Sequence, residues 1–307
     1  LLPGGVRTQR FPRLVGVEAS LGVLLDAARF CACEALEKGA AHAVVRPGQE
    51  IAAAEAWIRS QPDPLQPWDT PQWTLAGLDC VLEVTGPVRA EFLRTTGGHY
   101  PAEPAILDCI DRGVPKSMDE GVAEEIDIFK DLVQRIEPRN MIATMFLGRV
   151  DYDRRRRKDT LPEGLDAFAA KVKAALDEKS GTFGRQGAIA MAFAGIGGAA
   201  AGDVAAAQAV ADRKPAWFED PQGPVETAAL AVLAAGALVA VEDGSHFPES
   251  DRNLVDFHCQ RKAGFPRYLG GPFTFLANYG EDRCRRMADV SRRSSAGETV
   301  EIGRDGG

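Results

Sequence analysis

The chain has 307 residues, which suggests about two domains with cores of their own. A content of 45% hydrophobic and 26% charged residues is ordinary for a globular protein. The net charge of −8 argues against binding to a nucleic-acid backbone, which requires clustered lysines and arginines. No uncharged apolar run reaches the roughly 18 residues of a membrane span. The nearest run, from Ala228 to Val241, predicts a buried core helix.

Cysteine usage indicates a reducing compartment, and we expect a cytoplasmic protein. The six cysteines are scattered and none forms a Cys-x-x-Cys pair. Cys31 and Cys33 lie too close together for the usual zinc knuckle, so we expect no metal site. No signal peptide is evident. The chain opens on Leu1 without an initiator methionine, which suggests that an N-terminal portion is missing.

The first 74 residues predict short helices, one short strand and a surface connection. Val17, Leu21, Leu24 and Ala28 share one face of a helix, because their spacings are 4, 3 and 4. Gly39 stands where a second short helix would end. Residues 43–45 predict a strand, and the proline-rich residues 61–74 predict an exposed connection.

Helix signals dominate the rest of the chain. Ser117 and Glu120 have the spacing of a capping box, and Thr160 and Glu163 have the same spacing. Each box precedes a predicted apolar stripe: Val122, Ile126, Phe129 and Val133 in the first case, and Leu165, Phe168, Val172 and Leu176 in the second. Another helix is expected from about Val225 to Glu242.

The basic run at residues 153–158 lies between the two predicted helices that follow the capping boxes. We interpret it as a solvated linker or helix end. The alternative is contact with an anionic coenzyme A or with another subunit.

The segment from Leu2 to Gly16 has the sequence LPGGVRTQRFPRLVG. It resembles the segment after the active-site loop in the crotonase (enoyl-CoA hydratase/isomerase) superfamily, whose pattern is Pro-Gly-x-Gly-Gly-Thr-Gln-Arg-Leu-x-Arg-x-x-Gly. The similarity continues through CEALEKGAAHAVV, from Cys33 to Val45. One departure is that Val6 and Arg7 occupy the positions of the usual Gly-Gly pair.

This resemblance implies a chemistry in which two backbone N–H groups stabilise a thioester enolate and paired carboxylates act on a water. In the family those donors and carboxylates lie upstream of the matching segment, so they would precede Leu1. The resemblance maps only Gly4 near the reacting water, through its backbone N–H, and places Gly4 and Gly5 beside the substrate. A glycine that merely permits a turn is the alternative for Gly4.

Two further regions carry the resemblance. Residues 100–106 and 113–129 are similar to the helices that end the crotonase half of bifunctional hydratase/3-hydroxyacyl-CoA dehydrogenases, where they contribute to the acyl-CoA tunnel. The sequence AGFPRYLGGPF, from Ala263 to Phe273, resembles a Gly-Phe-Pro-x-x-x-Gly-Gly-Pro turn of the helical C-terminal dehydrogenase domain. The family uses that turn for packing, so a structural role is expected.

Gly195, Gly197 and Ala200 follow an apolar run and imitate a dinucleotide-binding fingerprint. Only about 25 residues separate Gly198 from Pro224, too few for the several βαβ units that such a domain requires. The run also has alanine and methionine where a parallel strand prefers valine and isoleucine. We therefore reject Gly195 and Gly197 as cofactor-binding residues and expect a helix junction.

No histidine of the chain has the family's catalytic setting, and we interpret each as structural or exposed; they are His42, His99, His246 and His258.

The sequence thus predicts a mainly α chain, with the C-terminal half of a crotonase α/β fold followed by an all-α 3-hydroxyacyl-CoA dehydrogenase C-terminal-like domain. The predicted parts are 1–135 (crotonase-like), 136–164 (linker), 165–293 (helical dehydrogenase-like) and 294–307 (disordered tail). The expected function is part of a β-oxidation enzyme acting on acyl-CoA thioesters, inactive alone and without a cofactor. Coenzyme A enters as part of the substrate, and a homo-oligomer is expected. The alternatives are a non-catalytic docking module and an NAD-dependent 3-hydroxyacyl-CoA dehydrogenase.

Overall fold

The computed structural model describes residues 1–198, 203–213 and 216–290. These residues are mostly helical and contain no β-strand, so the mainly α prediction is confirmed. They form two compact units. Unit 1 consists of Leu1–Glu91 and Pro101–Gln134, and unit 2 of Phe92–Tyr100 with the described residues from Arg135 onward.

Unit 1 is built from short helices near the N-terminus and longer ones after residue 77. Its helices are α1 (Arg7–Val15), α2 (Val17–Asp26), α3 (Ala32–Glu37), α4 (Glu50–Arg59), α5 (Leu78–Thr96), α6 (Ala102–Gly113) and α7 (Met118–Gln134), with a 3-10 turn at Pro67–Asp69. The last residues of α5 belong to unit 2.

Unit 2 contains α8 (Ile136–Met141), a π-helical stretch (Ile142–Gly148), α9 (Arg149–Lys158), α10 (Leu165–Thr182), α11 (Arg185–Ala194), α12 (Val204–Asp212), α13 (Pro224–Glu242), α14 (Arg252–Lys262), α15 (Pro272–Tyr279) and α16 (Glu281–Asp289). Three 3-10 turns, Ile196–Gly198, Glu249–Asp251 and Arg267–Leu269, connect them.

The core of unit 1 lies where α1, α2, α6 and α7 meet. Leu21 and Leu24 of α2 are buried there together with Ile106 and Ile110 of α6. The helices α3 and α4 have no buried residue. In α4, Ile51 is 73% exposed, Trp57 46% and Ile58 64%, so this helix presents an uncovered apolar face.

The core of unit 2 surrounds α13, which packs against α10, α11, α15 and α16. Its residues from Ala228 to Ala234 are all essentially inaccessible, which confirms the predicted core helix. Among the described residues, α13 is the one helix long and apolar enough to cross a membrane by length and composition, and most of it is buried.

Several local predictions are confirmed. The helix α2 buries Leu21 and Leu24, although it ends at Asp26, before Ala28. In the first capping box, Ser117 N–H donates to Glu120 Oε2 (3.1 Å) and Glu120 N–H to Ser117 Oγ (3.4 Å). The stripe of α10 is buried at all four predicted positions, Leu165, Phe168, Val172 and Leu176.

Three local predictions are wrong. Residues 43–45 form no strand, because no segment within the described ranges pairs with them and Val44 and Val45 are exposed. Thr160 does not cap α10; its N–H closes the end of α9 by donating to the Arg155 carbonyl (3.0 Å), and Gly164 takes the cap position.

The third wrong prediction is the orientation of α7. Gly121, Glu125 and Leu132 are buried, whereas Ile126 and Phe129 of the predicted stripe are exposed.

The range 136–164, interpreted from sequence as a linker, is helical over most of its length and belongs to unit 2. The basic run at 153–158 is the end of α9, as expected. Arg155 forms a salt bridge with Asp251 (2.7 Å) at the start of α14, so part of this run is structural. The tail at 294–307 lies outside the described residues.

Candidate functional site

The turn at Gly4 and Gly5 immediately precedes α1 and is exposed. A β-carbon added at either glycine would meet no atom of the described residues within 4 Å, so packing among those residues requires neither glycine. Gly5 has φ 76° and Val6 has φ 68°, both in the left-handed region. A β-branched residue is strained there, which explains why a glycine suits the position that Val6 occupies.

The carboxylate of Glu125 holds the first turn of α1. It accepts hydrogen bonds from the N–H groups of Val6 (2.8 Å) and Thr8 (3.2 Å), and from the Thr8 hydroxyl. The Glu125 side chain comes from α7 and is buried. A negative charge beside the free N–H groups of a helix N-terminus is favourable. Glu125 therefore fixes the backbone that follows the Gly4–Gly5 turn.

Gln9 and Arg13 extend this contact into a buried polar network. Gln9 Nε2 donates to the Cys109 carbonyl (2.7 Å). Arg13 donates to Gln9 Oε1 and to the carbonyls of Gly113 and Lys116, each at 2.9 Å. Burial lowers the pKa of the Arg13 guanidinium, which has carbonyl and amide oxygens as its acceptors. The network fastens α1 to the end of α6.

Two glycines make room for the Gln9 amide. A β-carbon at Gly113 would lie 2.4 Å from Gln9 Oε1, and one at Gly121 would lie 2.5 Å from the same atom. Thr8 and Gln9 of the motif, and Arg13 one turn further along α1, are thus explained by what they contact. Sequence reasoning missed Glu125 as a partner of this segment. The available signal was weak, because Glu125 stands next to Glu124 in an acidic amphipathic helix.

Gly195 and Gly197 lie at a helix junction in unit 2. The preceding run, from Ile189, is part of α11 and not of a strand, and Gly195 ends that helix in the left-handed conformation. Gly197 N–H donates to the Gly264 carbonyl (2.9 Å), which ties the junction to the AGFPRYLGGPF turn. A dinucleotide fingerprint requires a strand before its glycines. Ala200 lies outside the described residues.

His258 and Asp166 form a pair at a cleft of 320 Å³ in unit 2 that Lys262 also lines. His258 Nε2 lies 2.9 Å from Asp166 Oδ1. Burial lowers the pKa of His258, so the neutral ring donates to Asp166 and leaves Nδ1 as an acceptor. That atom is closed to solvent and lacks a partner among the described residues. This arrangement joins α10 to α14 and leaves no ring nitrogen of His258 accessible as a base.

His99 is also buried, and its ring stacks on that of Tyr268 with centroids 4.5 Å apart. Its Nε2 lies 2.5 Å from the Phe193 carbonyl. Burial lowers the pKa of His99 to about 4. His99 is therefore neutral near pH 7.

No cluster of three or more His, Cys, Asp or Glu residues suited to a metal ion occurs in the described part of the chain. All six cysteines are free thiols, three exposed and three buried.

The chain is similar to proteins named fatty acid oxidation complex subunit alpha. It is 34% identical over 139 residues to that of Shewanella loihica, covering 43% of this chain and 19% of the relative. It is 30% identical over 190 residues to that of Shewanella sp. (strain W3-18-1), covering 60% and 26%. For Aliivibrio fischeri the values are 28% over 167 residues, covering 54% and 24%.

The matched part spans only about a fifth to a quarter of the length of these relatives. Over the matched residues, the identity to these relatives is 28–34%. No family model and no solved structure matches the chain.

Proposed function

We propose that the chain is part of a cytoplasmic β-oxidation enzyme that acts on acyl-CoA thioesters by enoyl-CoA hydration or isomerisation. The observation that carries this proposal is the Leu2–Gly16 segment, together with the similarity to fatty acid oxidation complex alpha subunits. The buried residues Thr8, Gln9 and Arg13 of that segment hold the exposed Gly4–Gly5 turn on a rigid base. No cofactor other than the coenzyme A of the substrate is part of the proposal.

The role proposed for this turn is support of the reacting groups. Enolate stabilisation needs fixed N–H donors, and small displacements of such donors are costly to the rate. The exposed Gly4 backbone has room for a thioester or a water to approach, since no side chain covers it. The carboxylates that would transfer protons belong upstream of Leu1 in this proposal, and the chain alone is inactive.

Crotonyl-CoA hydration by the isolated chain tests the inactivity. We expect no turnover above that of buffer, at any chain concentration. Turnover that survives repurification would contradict the proposed absence of catalytic residues.

The reading frame upstream of Leu1 tests the family assignment separately. It should encode a glycine-rich segment followed by acidic residues, and an unrelated sequence there would refute the assignment.

A non-catalytic docking role is the second candidate, and the exposed apolar face of α4 favours it. Ile51 and Ile58 lie on a helix with no buried residue, and such surfaces mark protein contacts when they are contiguous. We propose that this face joins copies of the chain. Light scattering should show a concentration-dependent oligomer that the double change Ile51→Glu and Ile58→Glu abolishes. The double change Glu50→Gln and Arg59→Gln, which leaves both isoleucines in place, serves as the control. A monomer at all concentrations would refute the proposal that this face joins copies of the chain.

A further inference from the structure

A small cavity of 150 Å³ lies in unit 2, between α8, α15 and the start of α16. Five of its nine lining residues are aromatic or aliphatic, and the other four are polar or charged. Phe275 and Tyr279 stack with centroids 5.3 Å apart, and Ile136, Phe218 and Leu269 complete the apolar lining. Pockets for drug-sized ligands measure roughly 300–1,000 Å³, so this one suits a smaller molecule.

Arg283 and Asn278 contribute polar groups to the lining of the cavity. The Arg283 guanidinium lies over the Tyr279 ring, 4.2 Å from its centroid, and Nη2 donates to the Glu219 carbonyl (2.5 Å). Two contacts thus hold the side chain in place while further N–H donors of the fork stay available. Asn278 Nδ2 donates to Asn140 Oδ1 (2.9 Å), which fixes the second polar group.

Arg283 differs from the other half-buried arginines in the described part of unit 2. Those arginines each form a salt bridge with a carboxylate: Arg135 with Glu137, Arg155 with Asp251, and Arg213 with Glu226. Within the same described residues, Arg283 contacts a carbonyl and an aromatic ring but no carboxylate. A half-buried guanidinium is stabilised most by a carboxylate that accepts two hydrogen bonds from it. The position of Arg283 at the cavity therefore marks a binding place for a carboxylate.

We propose that this cavity binds a small monocarboxylate, with the carboxylate on Arg283 and a short apolar tail between Phe275, Leu269 and Phe218. The proposal goes beyond the acyl-CoA function and does not depend on it, since a cavity of 150 Å³ is too small for a coenzyme A thioester. The Tyr279 hydroxyl remains protonated near neutral pH, because burial raises its pKa to about 12. It therefore adds no negative charge that would repel the ligand.

One acidic side chain, Glu219, also lines the cavity. Its carboxylate accepts a hydrogen bond from the Ala216 N–H (3.0 Å), and the residue is exposed. Solvent and salt therefore screen its repulsion of a bound anion. The change Glu219→Gln should strengthen carboxylate binding modestly, by about twofold to fivefold.

The test compares hexanoate, hexan-1-ol and hexylamine, which share a tail and differ in the head group. Binding is followed by methyl chemical shifts of Leu269 and Ile136, which line the cavity, with Leu230 in the core as an internal reference. We expect hexanoate to shift the lining methyls, hexan-1-ol to bind at least about tenfold more weakly, and hexylamine not to bind.

Arg283→Gln should weaken hexanoate at least about tenfold and leave hexan-1-ol unchanged. The matched control is Arg285→Gln, two residues along α16, where an exposed arginine pairs with Glu281. Should Arg283→Gln not fold, Asn278→Leu gives a second reading, with an expected loss of hexanoate affinity of about threefold.

Three results would overturn the proposal. Equal affinity for acid and alcohol would mean a purely apolar cavity. Undiminished hexanoate binding by Arg283→Gln would remove the guanidinium from the site. No shift of the Leu269 and Ile136 methyls at any hexanoate concentration would mean that the cavity binds nothing of this class.

Discussion

The two units of this chain are stabilised in different ways. In unit 1, the N-terminal helix is fastened by buried polar groups that are more than 100 residues apart in sequence, such as Thr8 and Glu125. In unit 2, a helix that is apolar on all sides is surrounded by other helices. The stability of the polar network depends on hydrogen-bond geometry. The stability of the apolar core depends on the volume that its side chains fill. Unit 1 should therefore be most sensitive to the loss of a hydrogen-bond partner, and unit 2 to the loss of side-chain volume.

Arg13 and Arg283 show the same difference on a smaller scale. Arg13 is 5% exposed, and carbonyl and amide oxygens of its own unit surround it. Arg283 is half-buried and retains unused donors at a cavity. A buried guanidinium that donates four hydrogen bonds to its own unit, as Arg13 does, holds structure. One with unused donors at a cavity is available for a ligand.

The largest effect is expected in the apolar core. Leu233→Ala in α13 should lower the free energy of unfolding by about 3 kcal/mol, because the side chain is fully buried and leaves a cavity. Urea unfolding and hydrogen exchange of the α13 amides would measure it. Leu147→Ala is the control, and it should lower the free energy of unfolding only slightly because Leu147 is 53% exposed. A cost of less than about 1 kcal/mol for Leu233→Ala would mean that this core repacks freely.

The polar network should give the next largest effect. Arg13→Met should lower the free energy of unfolding by about 2 kcal/mol, because the carbonyls of Gly113 and Lys116 lose their donors. Hydrogen exchange of the α6 amides would report the loss. The control is Arg10→Met on the same helix, where the side chain is exposed. If both changes had equal effects, the network would not be what holds α1.

A pH dependence is expected in unit 2 from two buried groups with opposite signs. Burial raises the pKa of Asp256 to about 7, so the folded form keeps its proton and stability falls as pH rises from about 4 to 7. Burial lowers the pKa of His99 to about 4, so stability rises with pH between about 4 and 6.5. The two slopes, each at most about 1.4 kcal/mol per pH unit, oppose each other in that window.

The change Asp256→Asn should reveal the dependence of stability on pH that His99 causes. Urea unfolding at pH 4.5, 5.5 and 6.5 should show stability rising more steeply with pH in the variant than in the original chain. The amide can still accept hydrogen bonds from Phe273 or Thr274, whose N–H groups both contact Asp256 (2.8 Å). Parallel pH profiles for the two proteins would show that Asp256 is ionised in the folded state throughout.

The smallest effect concerns the turn before α1. Val6→Gly should stabilise the chain by about 1 kcal/mol, because Val6 has φ 68° and glycine adopts that conformation without strain. Arg7→Gly is the matched control. Arg7 is the first residue of α1, so glycine there should destabilise by about 1 kcal/mol. Destabilisation by both changes would contradict the strain at Val6.

Sequence periodicity predicted the helices whose burial is decided by one apolar face. The stripe of α10 and the core helix α13 are examples, because apolar partners lie on the side that the pattern indicates. It failed for α7, where Glu125 turns inward to reach Val6 and Thr8, and two apolar residues are left outside. Such an interaction joins residues 117 positions apart, and no local pattern reports it.

The candidate sites show the same limit. Gly4 and Gly5 were found from a sequence motif. Gly195 and Gly197, which were rejected as cofactor-binding residues, lie after a helix, whereas a dinucleotide-binding fingerprint follows a strand. The cavity at Arg283 was not predicted. Its lining comes from α8, the turn at Phe218 and the region from Leu269 to Arg283, which only the folded chain brings together.

The composition of α13 has a consequence for synthesis on the ribosome. The helices α15 and α16, which cover part of α13, are translated after it, and the last of them ends at Asp289. At ~5–20 residues per second, roughly 2–10 s pass between the emergence of α13 and that of α16. During this interval the nascent chain presents one of its most apolar segments without its final cover. Chaperone binding to ribosome-bound chains is therefore expected to rise once Glu242 has emerged and to fall once Asp289 has.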